Sequence, residues 1–430
     1  MKRPVCILIL LLALGCSKKN KNESVVADPV IENRLQKLID AGEYFRLRAD
    51  LAKYREKISS ARWLYFRAFT YSAFNDYPES TLAIDSLLND QRAPLQDSTR
   101  VNLMLLLRDN YFKTFQYEKA ASVGQELLGR YKETLGDRLH DVENEHIIHQ
   151  ALAGVLPQQT ALRKVTLKWK PNEIGLIEIP VKSGSTDLQI VFDTRADIST
   201  ATQSFAKKLR LRLLDVSYEL GSGLTGKTFQ SSLGIADSLY IGDILVQHVV
   251  FQVVPDEILS FPSINVTLHG ILGFPVITQL REIHIFQNGD FIISPGETTS
   301  DLRNLAFDGL TPVLSVASNN DTLSFYFDTG ASGSDFYDSF FNRYRASVLE
   351  KAKLKTVETG GAGGIVKNEV YSMPVVDLTI GRKNLQLKDV SIRTKPIYKG
   401  QKYYGNLGQD VIRQFDEMIL DFESMYIDFR

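Results

Sequence analysis

The stretch FYFDTGASGSDF, from Phe325 to Phe336, places an acidic residue at the end of a short apolar run. A second version, IVFDTRADIST, lies upstream from Ile190 to Thr200. A short apolar run that ends in turn-forming residues is typical of a buried strand. The two stretches therefore predict one strand-and-loop element that occurs twice, with Arg195 replacing the glycine in the first copy.

The chain after about Pro157 repeats at one constant offset. Its short alternating apolar runs are separated by Gly, Asn and Asp, which is typical of strands and turns. Asp193 and Asp328 are 135 residues apart, and the same offset relates four further pairs: Gly273 and Gly408, Glu282 and Glu417, Phe291 and Tyr426, Phe205 and Phe340. We therefore predict two copies of one β-rich lobe, residues 157–298 and 299–430.

This pattern resembles the pepsin and retropepsin superfamily of aspartic proteases, and most closely its retroviral-like bacterial members. The shared features are an apolar strand ending in Asp-Thr-Gly, a glycine-rich hairpin, and an apolar-glycine element before a last strand pair. The resemblance covers Ile174 to Arg430. It implies two lobes that face each other across a cleft, a peptide or protein substrate, and no cofactor.

The resemblance also assigns roles to the repeated loop. Asp193 and Asp328 would form the catalytic pair, because two adjacent carboxylates cannot both ionise and one keeps its proton. The ionised member would activate a water, and the protonated member would stabilise the oxyanion. Thr194 and Thr329 would join the two loops by hydrogen bonds, and Gly330 would let the backbone approach a carboxylate.

Two glycine-rich segments are candidates for mobile hairpins over the cleft. They are ELGSGLTGKTFQ in the first lobe, with Gly223 and Gly226, and ETGGAGGIVKNE in the second, with Gly361 and Gly364. Their glycines would supply the mobility that closure over a peptide needs. For any single glycine, an ordinary turn is the alternative.

Arg195 leaves four interpretations open. In the first, its charge lowers the pKa of the Asp193 carboxyl and opposes proton sharing. In the second, the side chain points outward to Asp197 and leaves a working pair. In a third interpretation the first lobe has lost catalysis and only binds peptide. In a fourth, the second lobe pairs with its counterpart in another chain. Ala196 and Ala331 follow the loops where pepsin-like members often carry Ser or Thr, which favours mildly acidic or near-neutral action over strong acid.

Other ligands are disfavoured by composition and motif context. The net charge of −1 argues against nucleic acid as a partner. The segment from Gly221 to Thr228 matches a phosphate-binding loop pattern, but the residues after it are strand-like rather than helical. His146 and His149 could face one side of a helix, yet such clusters are usually solvated, so no metal site is predicted.

The N-terminus predicts a lipid anchor. Lys2 and Arg3 precede an apolar run that is too short to span a bilayer, and Gly15-Cys16 ends it. This start resembles a bacterial lipoprotein signal, residues 1–16, in which Cys16 becomes the lipid-modified first residue; an ordinary secretory signal is the alternative. Residues 17–29 are polar and predict a flexible tether.

Residues 30–156 carry helical periodicity, with apolar residues recurring every three or four positions. A weaker repeat at an offset of 40 relates Tyr77 to Tyr117 and Leu87 to Leu127. It resembles the helical hairpins of tetratricopeptide arrays. Such an array implies a concave surface for a protein partner, and a packed helical domain without a ligand is the alternative.

The sequence as a whole predicts an α + β multidomain protein, with a helical-repeat domain followed by a mainly β, two-lobed acid-protease-like domain. The predicted function is an aspartic endopeptidase anchored by lipid in the bacterial cell envelope, facing the periplasm or outer membrane rather than the cytoplasm. A peptide-binding pseudoprotease and a helical interaction scaffold are the alternatives.

Overall fold

The N-terminal part of the chain is helical. The computed structural model describes residues 27–91, 94–221, 225–398 and 400–430. Asp28 caps the first helix, which begins at Pro29, so the last residues of the predicted tether belong to this domain. The helices are α1 Pro29–Asp40, α2 Tyr44–Lys53, α3 Ser60–Ala73, α4 Tyr77–Leu88, α5 Asp97–Lys113, α6 Tyr117–Arg130, α7 Lys132–Leu135 and α8 Leu139–Leu152.

Two pairs of these helices have the same turn between them. Asn75 and Phe115 take the left-handed backbone conformation after α3 and α5, so the chain reverses at both places and starts α4 and α6. That next helix starts at Tyr77 and at Tyr117, which are both buried. The assignment of these hairpins to the tetratricopeptide type stays a prediction.

The rest of the chain is mainly β. Its first part contains β1 Gln159–Thr160, β2 Val165–Lys168, β3 Lys170–Pro171, β4 Ile177–Ser183, β5 Thr186–Phe192, β6 Ser199–Thr202, α9 Gln203–Lys208, β7 Arg212–Leu213, β8 Tyr218–Gly221, β9 Thr228–Ile241, β10 Ile244–Val254, β11 Ser260–Phe261, β12 Val266–Thr267, β13 Gly270–Leu272, α10 Phe274–Gln279, β14 Glu282–Phe286 and β15 Asp290–Ser294.

The second part repeats this order with small changes. It contains β16 Leu305–Asp308, β17 Thr311–Ser318, β18 Asp321–Phe327, β19 Asp335–Phe336, α11 Asp338–Arg343, α12 Arg345–Lys351, β20 Lys353–Gly361, β21 Gly364–Ile380, β22 Lys383–Ile392, β23 Gly405–Leu407, α13 Gln409–Ile412, β24 Glu417–Asp421 and β25 Tyr426–Phe429. Both ends of β5, α9, β13 and β14 recur 135 residues later in β18, α11, β23 and β24.

Three main sheets organise the β part. Strands of the first lobe follow the order β1-β10-β6-β13-β5-β4-β9-β7, and those of the second follow β16-β17-β18-β23-β19-β22-β21-β20. A third sheet, β2-β15-β14-β24-β25, joins the lobes because β14 pairs with β24. One hydrophobic core runs through both lobes, with Phe192 packed edge-on against Phe291 and Phe274 against Phe307.

The helical part packs against both lobes. Phe115, Tyr117 and Leu152 share a buried cluster with Tyr218 and Leu233 of the first lobe. On the second lobe, the Tyr44 hydroxyl donates to Asp308 Oδ1 (2.9 Å), and Asn75 Nδ2 donates to the Phe422 carbonyl (2.8 Å). Because apolar clusters and hydrogen bonds both cross these contacts, the helices are part of the same packed body.

Candidate active site

Asp193 and Asp328 follow equivalent strands. β5 runs parallel to β13, and β18 runs parallel to β23. The backbone N–H of Asp193 donates to the Leu272 carbonyl (3.1 Å), and that of Asp328 donates to the Leu407 carbonyl (2.9 Å). Each bond extends the parallel ladder by one residue, so both aspartates leave their sheets at the same point.

The two threonines join the loops by reciprocal hydrogen bonds. The Thr194 N–H donates to Thr329 Oγ1 (3.0 Å), and the Thr329 N–H donates to Thr194 Oγ1 (3.1 Å). Their hydroxyls donate in turn to the carbonyls of Phe327 (2.9 Å) and Phe192 (2.7 Å) on the opposite lobe. Both side chains are fully buried. The two loops are therefore paired within one chain.

The loop backbone holds each carboxyl. The Arg195 N–H donates to Asp193 Oδ1 (2.8 Å), and the Gly330 N–H donates to Asp328 Oδ1 (2.9 Å). Gly330 also packs against the carboxyl of the other loop, since a β-carbon added there would lie 2.3 Å from Asp193 Cγ. Only glycine permits this approach.

The surroundings of Asp193 favour its protonated form. Burial, and then the charge of Asp328, raise the pKa of the Asp193 carboxyl to about 7. The backbone N–H and the guanidinium of Arg195 lower it by smaller amounts. A carboxyl whose pKa is raised by burial and by a neighbouring carboxylate holds its proton at mildly acidic pH.

Arg195 does not act mainly on its own neighbour in sequence. Its guanidinium stacks on the Tyr326 ring (4.1 Å to the centroid), and its Nη1 lies 3.8 Å from Asp328 Oδ2. The predicted lowering of the Asp193 pKa is present, but burial and Asp328 outweigh it. Asp197, the alternative partner, accepts a hydrogen bond from Thr311 (3.4 Å).

Asn406 belongs to the site and was missed in the sequence. Its Nδ2 donates to Asp328 Oδ2 (2.9 Å), and its Oδ1 accepts a hydrogen bond from Arg195 (3.3 Å). The available signal was the comparison of GILGFPVI with GNLGQDVI, in which Ile271 is replaced by Asn406. An amide that replaces an apolar residue inside a repeated motif indicates a role at only one of the two loops.

In both lobes a serine that follows the loop, Ser199 or Ser334, stabilises it by a hydrogen bond. Ser199 Oγ accepts from the Gly273 N–H (3.0 Å), and Ser334 Oγ accepts from the Gly408 N–H (3.0 Å). Sequence reasoning used the two glycines as anchors of the repeat but did not assign a role to the serines. The structure shows that they tie each loop to the apolar-glycine element behind it.

The two glycine-rich hairpins meet at their tips. β8 pairs with β9, and β20 pairs with β21. Thr225 Oγ1 donates to the Ala362 carbonyl (3.0 Å), and Lys227 Nζ donates to the Gly363 carbonyl (2.7 Å). Of the predicted glycines, Gly226 lies in the first tip, Gly361 and Gly364 flank the second, and Gly223 lies outside the described residues.

The other candidate sites take different structures. The phosphate-loop pattern is followed at Thr228 by strand β9 rather than by a helix, which that motif requires. His149 is buried against the Phe112 ring. Within the described ranges, no group of three or more His, Cys, Asp or Glu side chains could hold a metal ion. Cys16 lies outside those ranges.

Comparison with known families gives one match, which lies in the first lobe. A family model described as aspartyl protease matches residues 179–276, which include Asp193 and Arg195. The chain contains an aspartyl protease-like domain. A search of curated proteins gave no match. The aspartyl protease-like match begins in β4 and ends in α10, so it spans the first loop and its supporting strands.

Proposed function

We propose that the chain is an aspartic endopeptidase that cleaves peptide bonds with a water activated by Asp193 and Asp328. One observation carries the proposal: two equivalent loops pair through Thr194 and Thr329, and the pKa of Asp193 is raised beside Asp328. Two carboxyls that share one proton can act as acid and base in the same step.

The reaction follows from that sharing. The ionised carboxyl takes a proton from water as the water oxygen bonds to the amide carbon, and the protonated carboxyl gives its proton to the carbonyl oxygen. The tetrahedral diol then collapses. Its C–N bond breaks as the nitrogen takes a proton from the first carboxyl, and the second carboxyl recovers a proton from a diol hydroxyl. Both carboxyls return to their starting states.

The hairpin tips supply the cover for this chemistry. Among the residues that the structure describes, their contacts include those from Thr225 to Ala362 and from Lys227 to Gly363, which involve exposed or half-buried groups. Hairpins whose tips meet through polar contacts near the surface can separate to admit a peptide and close again. A closed cover excludes water that would otherwise weaken the electrostatic interactions of the pair.

Activity is expected to fall as the pH rises through about 7. The reacting form needs one proton on the pair, and that proton is lost when Asp193, whose pKa is raised to about 7, ionises. Measurement of kcat/KM against pH checks this. An activity that stays constant well above neutral pH would contradict the proton-sharing account.

The experiment for the proposed function is incubation of the protein with a random peptide pool, followed by mass spectrometry of the products. Asp328→Asn should lower cleavage by at least roughly a hundredfold. Asp187→Asn is the matched control, because Asp187 is an exposed aspartate on β5. If Asp328→Asn cleaves as fast as the unmodified protein, the peptidase proposal is wrong for this site.

The second candidate is a pseudoprotease that binds peptides without cutting them. The observation that favours it is the cation of Arg195 within 3.8 Å of Asp328. The same peptide pool separates the two functions, because a pseudoprotease would retain peptides and release no fragments.

We also propose that the protein is lipid-anchored in the bacterial cell envelope through Cys16 and binds a protein partner with its helical domain. No helix in the described ranges is long and apolar enough to cross a membrane. Mass spectrometry of the N-terminal peptide tests the anchor, with an unmodified Cys16 in cells as the contrary result. Pull-down with the helical residues tests the partner. A third candidate function, a helical scaffold with a structural β half, predicts capture of a partner without peptide cleavage.

A further inference from the structure

The two carboxyls of the candidate active site have unequal surroundings. Asp328 accepts hydrogen bonds from the Gly330 N–H (2.9 Å) and from the Asn406 amide (2.9 Å), and the Arg195 cation lies 3.8 Å away. Asp193 Oδ1 accepts from the Arg195 N–H (2.8 Å), the Ala196 N–H also lowers the pKa of this carboxyl, and a β-carbon at Gly330 would lie 2.3 Å from Oδ2. Hydrogen-bond donors and a cation favour the ionised form of a carboxyl, so the surroundings favour charge on Asp328.

The difference between the surroundings of the two carboxyls comes from residues that differ at several equivalent positions of the two lobes. In the first lobe Val191 pairs with Ile271, and at the equivalent register in the second lobe Tyr326 pairs with Asn406. Arg195 itself stands where the second lobe has Gly330. The first lobe therefore contributes the cation, Arg195. The second lobe has an aromatic ring and an amide, Tyr326 and Asn406, where the first lobe has apolar side chains.

Those second-lobe groups hold the arginine. Its guanidinium lies over the Tyr326 ring at 4.1 Å, and Nη1 donates to Asn406 Oδ1 (3.3 Å) and to the Tyr337 hydroxyl (3.5 Å). A cation over an aromatic ring is attracted to its face. The side chain is 27% exposed, so most of the guanidinium is enclosed by these contacts.

Asn406 couples the arginine to the carboxylate. Because its oxygen accepts from Arg195, its NH₂ group is oriented to donate to Asp328. Loss of the guanidinium would remove both a nearby positive charge and the group that fixes the orientation of the amide. The first lobe has Ile271 at this place, which can donate nothing to Asp193.

We infer that Arg195 and Asn406 are positioning residues that keep Asp328 ionised and leave the shared proton of the pair on Asp193. The inference rests on the proposed function and assigns the base and acid roles to the two carboxyls. Asp328 takes the proton from water, and Asp193 protonates the carbonyl oxygen. The arginine that replaces glycine thus directs the pair rather than disabling it.

Other charged and titratable groups face this cluster from neighbouring elements, and none replaces Arg195. Asp335 is paired with Arg393 (3.0 Å), and the hydroxyls of Tyr326 and Tyr398 lie 3.2 Å apart. The set that faces Arg195 and the pair comprises Asp197, Asp335, Tyr326, Tyr337 and Tyr398. These groups are acidic or phenolic, and Arg393 lies against Asp335, whereas Arg195 is the cation that lies against Asp328.

The kinetic test compares pH–rate profiles for a peptide taken from the pool. Arg195→Gln and Asn406→Ile should move the acidic limb to higher pH by about one unit, because Asp328 then takes up a proton more readily. Arg195→Lys should move it less, since the charge is kept. Arg343→Gln is the control, because Arg343 pairs with Asp321 at the surface, and it should leave the limb in place.

A spectroscopic test needs no cleavage. Infrared difference spectra between the unmodified protein and Asp193→Asn at about pH 6, below the pKa of about 7 for Asp193, should show the loss of one protonated-carboxyl component. The signals of other buried carboxyls, such as Glu145 with a pKa also raised to about 7, cancel in this difference. In the Asp193→Asn background, adding Arg195→Gln should raise by about one unit the pH at which the Asp328 band appears.

The outcomes separate the inference from the proposed function. Protonated-carboxyl bands of equal size with and without Asp193→Asn at that pH, or an active enzyme whose acidic limb is unmoved in Arg195→Gln, would overturn the inference. If the unmodified protein cleaves nothing, the proposed function fails, and the infrared titration alone decides where the proton resides.

Discussion

At the scale of single residues, the contact between Gly330 and Asp193 shows why the two copies of the loop differ. A β-carbon at position 330 would lie 2.3 Å from both Cγ and Oδ2 of Asp193, which is far inside contact distance. The first copy does carry a β-carbon, at Arg195, and its side chain extends to Tyr326 and Asp328 instead. The second copy must keep glycine, and the first copy need not.

Substitution of Gly330 by alanine should therefore reduce cleavage by roughly a hundredfold, because displacement of a catalytic carboxyl by about 1 Å has an effect of that size. The measurement is kcat/KM for a pool-derived peptide. Gly333→Ala is the matched control in the same loop, since a β-carbon there would meet no atom closer than 3.9 Å. Equal activity of the two variants would show that the contact is unimportant.

At the scale of elements, the paired threonine loops join the lobes at their centre. Each threonine hydroxyl both accepts from the opposite loop and donates to the strand that precedes that loop. The shared sheet of β14 and β24 makes a second junction. Because the threonines are fully buried, any donor or acceptor left without a partner there has no access to water.

Thr329→Val keeps the shape of the side chain but leaves the Thr194 N–H and the Phe192 carbonyl unpaired. We expect a loss of about 2–4 kcal/mol in the free energy of unfolding, from the unsatisfied buried groups. Chemical denaturation measures it. The control is Thr322→Val on β18, the strand that precedes the Thr329 loop, where the threonine is exposed. If both variants lose the same amount, the bonds across the loops are not the cause.

The repeated elements could be predicted well from the sequence, because each copy of the repeat supports the assignment of the other. β5 and β18, which precede Asp193 and Asp328, were recognised from their apolar runs and from the constant offset. The direction of Arg195 could not be predicted, since it depends on an aromatic ring and an amide that lie far away in the sequence. The meeting of the hairpin tips depends in the same way on the packing of two lobes.

At the scale of the whole molecule, the helical part and the β part form one body. Leu152 of α8 is fully buried in a cluster with Tyr218 and Leu233 of the first lobe. Tyr218 begins β8, the outer strand of the first hairpin, and Asn144 donates to the Glu219 carbonyl on that strand (2.6 Å). The helices thus support the base of the first glycine-rich hairpin.

Leu152→Ala should lower the free energy of unfolding by about 2–5 kcal/mol, the usual cost of a large-to-small change in a packed core. The two tryptophans report on the two parts, Trp63 on the helices and Trp169 on the β part. Single-tryptophan variants should give the same denaturation midpoint with either reporter. Leu156→Ala, at a position that is 63% exposed, is the control; separate midpoints would show two independent bodies.

The central claim is that Asp193 and Asp328 act as one proton-sharing pair. It is tested most directly by kcat/KM for Asp193→Asn, for Asp328→Asn and for the double variant on one peptide. Residues that act as a unit give strongly non-additive losses. Each single change is predicted to lower kcat/KM by at least roughly a hundredfold, and the double variant should be no slower than the slower single one. Full activity in Asp193→Asn, or losses that multiply in the double variant, would contradict the claim.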